Sequence, residues 1–203
     1  MAKDLTQGDI APWLYRLTAP MVLGILAMFL FNLVDTYFIS LLGTQPLAAI
    51  SFTFPITMLV INIGIGLSIA TGAVVARALG QKDQQLTRLW ISSSFYLSAL
   101  TALVIMIIGL TFQESIFSLL GASTELLPFI KDYMNWWFAG SVLLIVLIVV
   151  NSSVRATGNT KLPSLVMLFS ALINGVLDPI LIFGWGPFPE LGIKGAAIAT
   201  LIS

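Results

Sequence analysis

The chain has 203 residues, of which 58% are hydrophobic and only 9% charged, with nine Lys and Arg balancing nine Asp and Glu. Soluble domains carry about 25% charged residues, so this chain lacks the polar groups to cover a wet surface, and its mean hydropathy of +1.02 points to a bilayer. No basic run suggests nucleic acid, and the lack of Cys and His excludes disulfides, thiolate metal sites, a cysteine nucleophile and the commonest general base.

Sixteen mixed residues, Asp4 and Asp9 among them, precede the first apolar run, and no A-x-A site follows it, so the start does not read as a cleaved signal. The first predicted helix covers 15–41. It holds an uncharged run, Leu17 to Val34, and then Asp35. Pro20 lies four turns before the acid, where a missing backbone donor permits a bend, static or moving.

The second predicted helix, 52–79, carries small residues every fourth position: Gly64, Ser68, Gly72, Ala76 and Gly80. That row is expected to admit a neighbouring backbone. "GIGLSIATG" (64–72) has the wrong spacing for a nucleotide loop. The third helix is predicted at 87–112 and the fourth at 127–155. "FISLLGT" (38–44) and "IFSLLGA" (116–122) echo each other, a weak hint of repeated hairpins. Trp136, Trp137 and Trp185 fall near span boundaries, where an interfacial belt is expected.

The fifth helix, 162–184, contains "NGVLDPILIFG", with Asn174 one turn before Asp178 on the same face. Pro179 is expected to kink it at the acid. A sixth helix runs over 193–203; its eleven residues reach about 17 Å, short of a hydrocarbon core of about 30 Å. The sequence thus reads as a fragment that ends within a span.

Lys and Arg fix the expected orientation. Lys3, Arg16, Arg77, Lys82, Arg88, Arg155 and Lys161 share one side, against Lys131 and Lys194 on the other. The positive-inside rule puts the N-terminus in the cytoplasm.

Two acids lie deep in predicted spans, Asp35 and Asp178, each costing about 2.5–3.5 kcal/mol at mid-bilayer by insertion scales. No base within a span can neutralise them. A bound cation, protonation or a water-filled cavity remains open to each. Thr200 and Asn151 add neutral oxygens. Such a set suits a hard monovalent cation or a proton carrier. The bland reading makes the acids helix–helix hydrogen-bond partners, Asn174 and Asn151 interhelical glue, and Thr200 a backbone-bonded core residue.

At these residues the sequence resembles a known family. "LTAPMVLGILAMFLFNLVDTYFISLLGTQPLAAISFTFP" is similar to the opening of the multidrug and toxic compound extrusion (MATE) transporters. "RATGNTKLPS", "NGVLDPILIFG" and "LGIKGAAIAT" resemble their later signatures, in the same order. The likeness is to the prokaryotic, DinF-like branch with an aspartate in helix one. It implies an all-α polytopic protein of the cytoplasmic (inner) membrane of a bacterium or archaeon. This chain would be the six-helix N-lobe of a twelve-helix, two-lobed transporter, with the C-lobe as its missing partner.

The resemblance also implies export of amphiphilic, often cationic drugs by antiport against Na⁺ or H⁺, with no other cofactor. It maps a cation site onto Asp35, Asn174, Asp178 and Thr200, with Asn151 nearby, and a bending proline onto Pro20. Phe31 departs from the pattern, since some relatives place a tyrosine there. The rivals are a lipid-linked precursor flippase, which would line its cavity with basic residues, and a non-transporting scaffold or half-protein. An enzyme is the weakest rival, because no nucleophile–base pair can be assembled.

Overall fold

The computed structural model describes residues 10–203, without the side chains of Ile10, Trp13, Arg16, Met28 and Phe31. Lys3, and the Arg16 and Phe31 side chains singled out above, thus lie outside the described residues. Six helices follow in order: α1 Ile10–Ser40, α2 Thr44–Gly80, α3 Gln84–Leu119, α4 Leu127–Ala156, α5 Lys161–Phe183 and α6 Ile193–Ile202. The first five are long and apolar enough to cross a membrane. No strand occurs among the described residues.

Two helices run further than the hydropathy suggests. α2 begins at Thr44 rather than 52, because Pro46 falls in the first turn, where a backbone N–H has no intrahelical partner to lose. α3 continues past 112 to Leu119, because its polar end still packs. Ala102, Gly109, Gln113 and Phe117 are all buried, at helical spacing. Glu114 on the same stretch pairs with Lys131 of α4.

α4 is the central helix: 44% of its span is buried, against 6% for α1. Ile130, Met134, Phe138, Ile145 and Val149 face α2, α3 and α6 around it. Trp137 belongs to this core at 7% exposure, so it is not a belt residue; Trp136 and Trp185 are exposed. Gly109 lets the Phe138 ring lie against α3, where an added Cβ would come within 2.4 Å of it.

The small-residue row of α2 is used only in part. Gly64 approaches Ile145 and Ile148 of α4, and a Cβ on Gly72 would meet Ser152 Oγ at 2.9 Å. Ser152 Oγ donates to the Ser68 carbonyl at 2.6 Å. Beyond this the buried line passes to Thr71, Val75 and Ala78, while Ala76 and Gly80 are exposed. A step of four overshoots the 3.6-residue turn by about 40°, so a strict fourfold row rotates off the contact face.

The hairpins are tight. Asp83 N–H reaches back to the Ala78 carbonyl and Lys82 N–H to Leu79, closing α2, while the Asp83 carboxylate caps α3 by accepting from Leu86 N–H at 2.9 Å. Both copies of the echoed motif carry a positive-φ glycine at the next-to-last position, Gly43 at φ 114° and Gly121 at φ 88°. Nothing lies within 4 Å of a Cβ built on Gly43. Gly43→Ala is therefore expected to cost about 1–3 kcal/mol through backbone strain alone. Gly66→Ala, equally open but helical, is expected to be neutral or to stabilise by up to about 1 kcal/mol. Unfolding midpoints in detergent check the pair, and equal shifts would contradict the strain argument.

The two ends of the bundle differ in charge more than the count suggests. At one end Lys131 pairs with Glu114, and Lys194 with Asp132 at 3.1 Å. At the other, Arg77, Lys82, Arg88, Arg155 and Lys161 have no carboxylate within ion-pairing distance among the described residues.

Candidate functional site

α1 packs along α5 and touches little else. The contact is close at Gly24, where a Cβ would sit 3.4 Å from Met167 Sδ and 3.5 Å from the Ser164 Cα. α5 in turn packs on α6, which seats against α4. This chain of contacts gathers residues from helices one, five and six into one place.

Asp178 is 0% exposed and Asn174 1%. With its amide nitrogen turned toward the acid, Asn174 donates to the two Asp178 carboxylate oxygens at 2.8 and 3.2 Å. Its own oxygen then accepts from the Thr200 N–H at 3.1 Å and from Ser203 Oγ at 3.3 Å.

Asp35 is half-buried, and its Oδ1 is fully shielded without a hydrogen-bond partner. It lies near enough to Asp178 for its charge to be felt there. A buried, partnerless acceptor costs about 1–3 kcal/mol, more when charged. Two neighbouring carboxylates with no basic partner within ion-pairing distance among the described residues therefore fit a hard monovalent cation or a proton. Among the described residues no group of three His, Cys, Asp or Glu side chains could hold a multivalent metal.

Thr200 keeps one foot in the bland reading, since its hydroxyl donates to the Ala196 carbonyl at 3.0 Å. Asn151 stands apart from the acids. It lines a cavity of about 290 Å³ between α4 and the α5–α6 pair, together with Trp136, Trp137, Met167, Thr200 and Ser203. The cavity exists because α4 and α5 scarcely touch. Pro20 and Pro179 both lie inside helices, and Pro179 is buried beside its acid. Each withholds one backbone donor from the preceding turn.

Two residues of the site carry no signal in the sequence. Tyr133 of α4 is buried and lies within electrostatic reach of both Asp35 and Asp178. Ser203 touches Asn174 across the α5–α6 seam. Tyr133 directly follows Lys131 and Asp132 near the start of α4, so in the sequence it reads as one more interfacial residue. Ser203 lies three residues from Thr200 and so shares its helix face.

Comparison with known proteins identifies the family. The MatE family model matches residues 20–180. The FAD transporter of Shewanella oneidensis is 42% identical over 199 residues, 98% of this chain and 44% of that protein. The multidrug export protein MepA of Staphylococcus aureus is 31% identical over 91% of this chain and 40% of its own length. The crystal structure of the Vibrio cholerae MATE transporter VcmN in the bent form superposes with a TM-score of 0.88 at 38% identity, covering 95% of this chain and 43% of that one. The chain thus spans less than half the length of the relatives it matches, as an N-terminal lobe would. A multi-pass protein of the bacterial inner membrane, it belongs to the MatE family of transporters.

Proposed function

We propose that this lobe senses the coupling ion of a multidrug exporter. The observation that carries the reading is the partnerless Asp35 Oδ1 beside a fully buried Asp178, with no Lys or Arg within ion-pairing distance among the described residues. Na⁺ or H⁺ entering from outside neutralises the acids. The cation ligands are Asp35, Asp178, Asn174 and Thr200. Neutralisation lowers the cost of packing the two acids together between α1 and α5. α1 then reshapes, with Pro20 as its bend, while Pro179 loosens α5 at the acid. The adjoining cavity narrows and its guest leaves outward. Each ligand must favour a different conformation for the cycle to turn.

The guest is an amphiphilic aromatic compound, often cationic. The cavity is lined by neutral side chains, among them the aromatic Trp136 and Trp137. It holds no base for a lipid-linked pyrophosphate, which disfavours a flippase. The Shewanella relative supports a second reading, export of FAD, whose flavin ring is also flat. Inverted vesicles bearing the whole protein, with Na⁺ and proton gradients imposed separately, test both. Ethidium export that needs one gradient supports the first reading and names the ion. FAD export without ethidium export favours the second, and indifference to both gradients refutes coupling.

A further inference from the structure

Arg88 stands at the mouth of a groove between α3 and α4, about 530 Å³ in volume and distinct from the cavity above. Its walls descend from Arg88 and Thr157 past Ile91, Val154 and Val150 to Phe95. Arg88, Ile91, Phe95 and Val150 are all exposed on the surface of the bundle. Arg88 to Phe95 is seven residues, or about 10 Å along the helix. The groove thus begins at one membrane surface and runs into the apolar zone. Its mouth opens at the end of the bundle that carries five basic residues unpaired among those described, which the positive-inside rule assigns to the cytoplasmic leaflet.

We propose that this groove holds an anionic phospholipid of the cytoplasmic leaflet. Its phosphate would rest on Arg88, and one acyl chain would lie along Ile91, Val154, Val150 and Phe95. The argument is charge and shape together. Arg88 has no carboxylate within ion-pairing distance among the described residues, and a guanidinium presents a fork that matches a phosphate. The hydroxyls of Ser92 and Thr157 at the mouth already donate to their own helices, to the Leu89 carbonyl at 3.0 Å and the Val154 carbonyl at 2.7 Å. They leave the guanidinium as the group that selects the headgroup. The apolar walls make a free phosphate an incomplete occupant.

Native mass spectrometry of the chain in detergent, titrated with palmitoyl-oleoyl phosphatidylglycerol or the matching phosphatidylcholine, tests this. The expected result is one phosphatidylglycerol bound at least tenfold more tightly than phosphatidylcholine. Arg88→Gln should erase that preference, while Arg77→Gln, at the same end but outside the groove, should keep it. Val150→Trp, which fills the groove, should weaken both lipids. The proposal is overturned if Arg88→Gln keeps the preference, if Arg77→Gln loses as much of it, or if Val150→Trp binds both lipids as before. It is also overturned if soluble glycerol 3-phosphate displaces the lipid, because the site would then read a phosphate without a tail.

Discussion

Asp35→Asn is expected to abolish ion-driven export, by at least a hundredfold in inverted vesicles, while raising the unfolding midpoint of the protein in detergent. The two effects have one cause. Asp35 Oδ1 is shielded and has no hydrogen-bond partner, so the folded state carries the desolvation of an acid with nothing to offset it. Insertion scales put that burden at about 2.5–3.5 kcal/mol for an aspartate at mid-bilayer. An amide keeps the shape and sheds the charge, giving up the switch and gaining stability, the usual trade at a functional site. A purely structural Asp35 predicts the reverse. Asn, which can donate and accept, would serve as an interhelical hydrogen-bond partner, leaving export intact and stability level or lower. A variant that exports normally would sink the coupling mechanism whatever its melting behaviour.

Gly195→Ala is the second large effect, expected to destabilise by about 3 kcal/mol. A Cβ there would lie 2.4 Å from the Leu181 carbonyl oxygen, 2.5 Å from its carbon and 2.8 Å from the Ile182 nitrogen. These are backbone atoms and cannot rotate aside, so α6 must back away from α5. The first casualties are the bonds that tie the turn before α6 to the end of α5, Leu191 N–H to the Leu181 carbonyl and Gly192 N–H to the Ile182 carbonyl, both 3.1 Å. Thr200 and Ser203 would then draw away from Asn174, so export should fall although both acids are intact. Gly140→Ala is the control, because its Cβ would meet only Leu201 Cδ1, the end of a flexible side chain. Thermal unfolding of the two variants should separate clearly. Equal, small shifts would show that the α5–α6 contact yields easily.

Much of this arrangement is legible in the residues themselves, because the bilayer leaves few choices. Runs of uncharged residues give the spans, and an acid within such a run marks itself by its cost. Asn174 and Asp178 are four apart, so their partnership follows from helix geometry. What escapes is what depends on a neighbouring helix. Tyr133 faces the acids only because α4 lies at the centre of the bundle, and Trp137 is core for the same reason, although its neighbour Trp136 is exposed. The polar end of α3 reads as loop until Gln113 is seen to donate to Asn135 of α4 at 2.7 Å. The fourfold row on α2 is real, but pitch alone moves Ala76 and Gly80 off the contact face. Composition reports the solvent, while these features report the partner.

The uneven anchorage of the two acids has a bearing on speed. The time a helix needs to move is set largely by the packing it must break before new packing forms. α4 cannot shift without opening the core. α1 leans mainly on α5, with lighter contacts to α2 and α6, and only Gly24 and Ile39 are buried among its described residues. Its displacement needs no refolding of the bundle and belongs with hinge motions on the microsecond to millisecond scale. Asp178 is tied through Asn174 to Thr200 and Ser203 across the α5–α6 seam, whereas Asp35 rides on a light arm, so in the proposed cycle that arm can swing without waiting for the bundle's slowest rearrangement.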